Sequence, residues 1–209
     1  MVKDPYRKLA AHYDRFVGAF TNALRRIGMK MYPPRLGMKV LDVGCGTGTN
    51  LMLYRQAGCS VYGIDLSPSM LEVARTKLGE GADLRLGNAS SMAYQDGFFD
   101  LVIAMFVLHE MPGEIRPLVM REMVRVAKKE GRILIVDFHP GPIRFPKGWA
   151  YKAVILLVER VAGREHFSNH RNFLLQTGIP GLVETQELLM DRKKIVSGGN
   201  VALFLLTRI

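Results

Sequence analysis

Three glycines and two aspartates carry the clearest chemical signal in this chain. The run Val40–Asn50, VLDVGCGTGTN, sets Gly44, Gly46 and Gly48 directly after a short apolar segment. Glycine in such a place lets the chain turn sharply and lets a ligand approach the backbone with no Cβ in the way. A helix opening near Gly48 aims free N–H groups at whatever lies over the loop. The spacing is G-x-G-x-G. The dinucleotide fingerprint G-x-G-x-x-G needs a third glycine where this chain has Thr49, and the lysine of a P-loop is missing. Asp42, two residues before the first glycine, repels a pyrophosphate and suits a cation. The loop therefore asks for a cofactor with positive charge near the glycines and no phosphate.

Further along, Gly63-Ile-Asp-Leu-Ser67 places Asp65 at the end of the next apolar run, set to accept both hydroxyls of a ribose. Asn88 and Ala89 follow the third run, where a short polar side chain can pair with the edge of a purine. Met70 stands where it can cover that base. Phe98-Phe99-Asp100 leads into the fourth run, and Leu108-His109-Glu110 follows it. His109 is the expected catalytic residue, a general base for an acceptor that must lose a proton. His166 and His170 lie four residues apart and share a helix face, but no third ligand is evident, so substrate contact is expected and no metal site. His139 ends the fifth run, and His12, beside Tyr13, is read as part of a lid. Cys45 reads as a small filler of the loop, since nothing local activates it.

These residues need a scaffold. Lys39–Val43, Ser60–Ile64, Asp83–Leu86, Asp100–Met105 and Arg132–Phe138 are short, apolar and rich in Val, Ile and Leu, as buried parallel strands are. Helical patterns separate them. Ser67-Pro68 predicts a helix start, with the helix running through Leu78, and Glu114–Lys128 predicts another closed by Gly131. Two β runs near Val183–Met190 and Asn200–Thr207, linked through Gly198-Gly199, predict an antiparallel pair. The expected fold is α/β, a Rossmann-like doubly wound seven-stranded sheet, mostly parallel with one antiparallel strand near the C-terminus. The expected layout is one domain, with a helical cap over 1–36, a cofactor-binding core over 37–138, a cap or substrate segment over 139–180 and C-terminal strands over 181–209.

The 209 residues are 48% hydrophobic and 23% charged, which excludes a disordered or fibrous chain. No apolar run approaches the roughly 20 residues of a membrane span, and the charged N-terminus lacks a signal peptide's apolar region. Two cysteines make no disulfide framework, so a reducing cytoplasm is expected. The net charge of +10 is divided unevenly: +7 over residues 1–39, −4 over 40–110 and +7 over 111–209. Basic ends attract acidic substrates, nucleic acid or an anionic membrane face. No RNA-binding module accompanies them, which disfavours nucleic acid. The apolar helix at Trp149–Val161 and the helix at Phe16–Lys30 together predict peripheral contact with an anionic lipid surface.

The sequence resembles the class I S-adenosylmethionine-dependent methyltransferases, in the branch of the ubiquinone/menaquinone-type enzymes. The matching residues are Asp42–Gly48, Gly63–Ser67, Asn88-Ala89, Phe98–Asp100, Lys128–Val136 and the Tyr13–Phe16 segment. The resemblance is strong over 5–138 and weak over 139–190. It implies S-adenosylmethionine as cofactor, with the glycine loop cradling its methionine part, Asp65 on the ribose and Asn88, where aspartate is commoner, on the adenine. Tyr13, Gly44, Cys45, Gly46, Leu66 and Phe106 complete the expected cofactor lining. It implies methyl transfer to a small or lipid-like acceptor, a phospholipid or quinone precursor being favoured and a soluble metabolite the alternative. A nicotinamide-dependent oxidoreductase is opposed by the glycine spacing and by Asp42. A non-catalytic cofactor-binding protein of the membrane surface is the other alternative.

Overall fold

The computed structural model describes residues 4, 6, 7, 10 and 13–209, and within them the side chains of 15–17 and 19 are left aside. The lid reading of His12 lies outside the described residues. The order of elements is α1 (Tyr13–Met31), β1 (Lys39–Val43), α2 (Thr49–Gln56), β2 (Ser60–Asp65), α3 (Pro68–Leu78), β3 (Asp83–Leu86), β4 (Phe99–Met105), α4 (Arg116–Val126), β5 (Ala127–Phe138), α5 (Lys147–Ala162), α6 (Arg164–Leu175), α7 (Ile179–Val183), β6 (Leu188–Val196) and β7 (Val201–Arg208). A single 3-10 turn, Leu108–Glu110, follows β4.

The seven strands form one sheet in the order β3-β2-β1-β4-β5-β7-β6. β1 to β5 pair in parallel, and β7 runs antiparallel to both β5 and β6. The expected fold is the one found. The chain leaves β1 toward β2 and β3, then returns to lay β4 on the other side of β1. That reversal opens a crevice at the carboxyl ends of β1 and β4, where ligands of doubly wound sheets bind. The central strands are apolar on both faces because helices cover both. Val40, Leu41, Leu101, Val102, Ile135 and Leu203 are fully buried.

Local chemistry sets several boundaries. Ser67 Oγ accepts from Met70 N at 3.2 Å and Pro68 occupies the first turn, so α3 begins where predicted. The helix predicted over Glu114–Lys128 is shorter, and Gly131 does not close it. Ala127 is already extended and pairs with Phe99, while Lys128 Nζ donates to Asp100 at 2.6 Å, so the chain enters β5 at once. The sixth strand also differs from Val183–Met190. Pro180 starts α7, which buries Ile179, Leu182 and Val183. The strand proper is Leu188–Val196, an edge carrying exposed Asp191, Arg192, Lys193 and Lys194. A charged edge strand is held by main-chain pairing and deters pairing with other chains, so its sequence carries no apolar run.

Candidate active site

At the carboxyl end of β1 the chain enters the glycine loop. Gly44 has φ +69° and a Cβ there would stand 2.4 Å from Val107 Cγ2, so the loop and the turn after β4 meet only because the residue is glycine. Gly46 has φ +50° with open space beside it, and its N–H donates to Asp65 Oδ2 at 2.8 Å. Asp65 Oδ1 accepts from Ser67 N at 2.8 Å. Each carboxylate oxygen keeps a second lone pair, which suits two ribose hydroxyls. Burial raises the Asp65 pKa against the pull of the Ser67, Gly46 and Leu66 N–H groups.

Asp42 is almost fully buried. Its Oδ2 accepts from Asn50 Nδ2 at 3.2 Å, and its Oδ1 has no hydrogen-bond partner. Burial pushes its pKa up to about 7, resisted by Asn50 and by the charge of Arg25. A buried carboxylate oxygen with no partner, next to a loop open at Gly46, fits a cationic cofactor. Arg25 is correspondingly not on an outer face: it turns inward, donates to Thr21 Oγ1 and Asn22 Oδ1 at 2.8 Å, and feels Asp42.

Most of the remaining expected cofactor residues follow the carboxyl ends of β2, β3 and β4. Leu66 is exposed, and Met70 is buried at the start of α3. Ala89 is buried, and Asn88 is exposed with Oδ1 accepting from Ser90 N at 2.9 Å. Phe106 adopts φ +54° between β4 and the 3-10 turn and packs against Phe138. The Cys45 side chain is buried over Gly63, and burial pushes its thiol pKa well up, as expected of a filler rather than a nucleophile.

The N-terminal segment reaches over the loop. Asp14 Oδ1 accepts from Thr47 and Thr49 hydroxyls at 2.7 and 2.9 Å, and Asp14 pairs with Lys77. Asp4 accepts from Ser67 Oγ at 2.8 Å and from Ser69. The Tyr6 hydroxyl donates to Glu110 Oε2 at 2.9 Å, and its ring meets Tyr13 edge-on. Sequence reasoning missed Asp4, Asp14 as a loop partner and Tyr6. Asp4 and Tyr6 stand among residues with no periodic pattern, and Asp14 was marked only by the Tyr13–Phe16 segment.

Beyond Phe106 lies a cluster that the sequence does not bring together. His109 is 2% exposed. Its Nδ1 meets Asp137 Oδ1 at 2.7 Å, and Asp137 is held in turn by the N–H groups of Leu108, His109 and Phe138. Its Nε2 lies 3.8 Å from Glu159 Oε1. Glu159 Oε2 lies 3.0 Å from His166 Nε2 and 3.6 Å from His170 Nδ1. Burial alone would lower the His109 pKa, but the charge and hydrogen bond of Asp137, with Glu110 and Glu159 behind them, raise it to about 9. The expected base is therefore not a free imidazole: its Nδ1 is engaged by Asp137, and only Nε2 faces Glu159. His170 goes the other way, to about 4, through burial and the neighbouring charges of His109 and His166. The third group missing from the His166–His170 pair is Glu159, hidden in the sequence within an apolar helix. His139 stands apart beside Phe204, its pKa lowered by burial and Lys193.

Comparison with known proteins agrees with this geometry. The family described as "Methyltransferase domain" matches residues 41–135. A demethylmenaquinone methyltransferase of Listeria welshimeri is 30% identical over 203 residues, 89% of this chain and 84% of the relative. A phosphatidylethanolamine N-methyltransferase of Cereibacter sphaeroides is 37% identical over 141 residues, 65% and 67% of the two chains. The crystal structure of an S-adenosylmethionine-dependent methyltransferase from Aquifex aeolicus shares the fold with TM-score 0.57, at 20% identity over 87% and 88% of the two chains. The chain belongs to the class I S-adenosylmethionine-dependent methyltransferases. Within that class it is similar to the menaquinone-type enzymes, and S-adenosylmethionine is its cofactor. When bound, the cofactor supplies an electrophilic methyl on a sulfonium that is its own leaving group. The protein's share is alignment, exclusion of water and electrostatics.

Proposed function

We propose that this methyltransferase acts on a lipid-like acceptor, a quinone precursor or a phospholipid, taken from an anionic membrane surface. The observation that carries the reading is α5, whose faces are inverted. Trp149, Val154, Leu157, Val158 and Val161 are 54–81% exposed, while Glu159 is buried in the histidine cluster. A helix that turns these five apolar residues to solvent and its carboxylate to the histidine cluster joins an interface to the chemistry. Lys147, Arg160 and Arg164 are exposed along it and at its end, each worth about 1 kcal/mol near anionic head groups. Between α1 and the start of α5 runs a groove of about 660 Å³ lined by Phe20, Ile27, Phe145 and Tyr151, with Arg144 and Lys147 among its walls. This volume suits a chain-bearing ligand. The outer basic residues of α1 in this reading are Arg26 and Lys30, since Arg25 points inward. The acceptor head then lies against His109, Glu110 and His166. Among the described residues no helix is long and apolar enough to cross a membrane, so the contact proposed is peripheral.

The test has two parts. Labelled methyl transfer is measured into vesicles of phosphatidylethanolamine, into vesicles holding a demethylated quinol and into a water-soluble metabolite fraction. Sedimentation with anionic and neutral vesicles is followed at rising salt, with Val154→Glu/Val158→Glu as the variant. Label in either lipid fraction, with salt-sensitive binding to anionic vesicles that the variant loses, supports the reading. Label confined to the soluble fraction, or no vesicle binding at low salt, overturns it.

A further inference from the structure

The histidine cluster has a composition that methyl transfer by alignment does not require. Its parts come from four elements. His109 sits in the 3-10 turn after β4, Asp137 near the end of β5, Glu159 on the inner face of α5, and His166 and His170 on α6. We propose that His109 Nε2, Glu159 and His166 bind a divalent transition-metal ion of the zinc type beside the methyl-transfer cleft.

The donor atoms of these three residues all lie within 4.8 Å of one another. Ligand atoms of a tetrahedral zinc stand roughly 3.4 Å apart, so small side-chain rotations close the set. The side chains of His109 and Glu159 are 3% and 6% exposed, and that of His166 is 19% exposed. One side of the cluster is therefore enclosed, and the His166 side remains accessible. Glu159 Oε2 stands between His166 Nε2 at 3.0 Å and His170 Nδ1 at 3.6 Å, and His170 Nδ1 has no hydrogen-bond partner of its own. A carboxylate with imidazole nitrogens converging on it is the donor set that a transition-metal ion takes.

The surrounding shell is the kind metal-binding imidazoles have. Asp137 fixes the His109 ring from the opposite nitrogen at 2.7 Å, and three main-chain N–H groups fix Asp137. A carboxylate behind a ligating histidine sets its tautomer and orientation and raises its basicity. The α6 side is anchored as firmly. Arg116, fully buried, donates to Leu108 O at 3.0 Å, Asn169 O at 2.7 Å and Asn172 Oδ1 at 2.9 Å, tying the 3-10 turn to α6. Asn169 Nδ2 donates to Glu110 O at 2.8 Å. The distance between His109 and His166, 5.6 Å between ring centroids, is thus set by a braced frame.

Two imidazoles and one carboxylate select the ion. Magnesium and calcium prefer sets made wholly of oxygen, whereas zinc and its neighbours accept nitrogen with one carboxylate. Three protein ligands leave a fourth position open, the pattern of catalytic sites rather than structural ones. Under the proposed function an acceptor oxygen can occupy that position, whereas the ion site itself does not rest on that reading.

The experiment uses the full chain stripped with a chelator, and the probe is Co²⁺ alone, then Zn²⁺ in competition. One equivalent of Co²⁺ is expected to give the visible absorption of a four-coordinate site, displaced by one equivalent of Zn²⁺. Glu159→Gln and His166→Asn are expected to weaken binding at least tenfold, and His139→Asn, outside the cluster, to leave it unchanged. S-adenosylhomocysteine affinity, measured by calorimetry on each sample, confirms that the cofactor half is folded. A stripped chain that binds S-adenosylhomocysteine but yields no cobalt spectrum overturns the site, as does cobalt binding that persists in both ligand variants. Either result leaves lipid methylation standing. Conversely, label found only in soluble metabolites would overturn the lipid reading and leave the ion site intact.

Discussion

Lowering the pH from 7.5 to 5.5 is expected to weaken cofactor binding about 25-fold through Asp42. The carboxyl is buried, and its pKa is about 7 in the free protein. Its ionised fraction therefore falls from roughly three quarters to about 3% across that interval. A cationic cofactor binds the ionised form, so its apparent affinity falls by the same factor. The cofactor's own α-amino group, ordinarily near 7.7–8.0, stays protonated over most of this range and does not cancel the effect. At pH 6 binding should release about 0.9 proton. Calorimetry in two buffers of different ionisation enthalpy reads that number directly. In Asp42→Asn the release and the pH dependence should vanish, and affinity at pH 7.5 should drop.

The same carboxyl has an opposite consequence for stability. Its folded pKa, about 7, lies above its unfolded value of 3.8. The folded state thus holds the extra proton between those values, and stability falls as pH rises through the window. At pH 8 the buried charge costs on the order of 4 kcal/mol. Asp42→Asn should therefore melt higher than the parent at pH 8 and equally at pH 4, in the absence of cofactor. A parent protein whose calorimetric heat shows no buffer dependence at pH 6, or a variant no more stable at pH 8, would refute the assignment of the raised pKa to this residue.

Two further outcomes follow from named contacts. Asp65→Ala removes a carboxylate placed to accept two ribose hydroxyls; if it does so, the change should cost on the order of 1.5–3 kcal/mol of S-adenosylhomocysteine binding, about 10- to 150-fold in Kd by calorimetry. An unchanged Kd would remove Asp65 from the site. Arg116→Ala leaves Leu108 O, Asn169 O, Asn172 Oδ1 and Gln176 Oε1 without their buried donor, and should cost on the order of 3–5 kcal/mol in denaturant unfolding. A loss below about 1 kcal/mol would show that the frame does not depend on it.

The glycine loop and the strand ends around it were legible because their pattern is local. Asp42, the three glycines and Asp65 each stand at the end of a strand whose apolar run announces it, and the parallel topology places those ends side by side. The same logic located β4 and with it Phe106 and His109. It failed where neighbours in space are distant in sequence and periodicity is uninformative. Glu159 sits among Val158, Arg160 and Val161, and nothing in that run says which face is inward. Burial reverses the usual rule here, with the carboxylate inside and the valines outside. Asp137 is the acid that closes the apolar run of β5, a signal that reads as a strand end until His109 is seen against it. The bounds of the edge strand β6 were misplaced for a related reason: its charged residues pair through the main chain without an apolar pattern.

In the proposed function, that reversal in α5 joins the lipid-facing surface to the histidine cluster. A helix stabilised only by the fold would turn its valines and leucines inward, since burying each is worth about 1.5–3 kcal/mol. In α5 only Gly148 and Glu159 are buried, and the Glu159 carboxylate meets three histidines instead of solvent. The apolar surface left outside is a cost to the isolated protein, and contact with a lipid surface removes it. The buried carboxylate is a cost unless cations face it, and His109 and His166 supply them or share it with a metal ion. Both costs fall away when the outer face meets lipid and the inner face meets its cations. In the proposed function Glu159 is therefore the residue of α5 that joins its lipid-facing side to the histidine cluster.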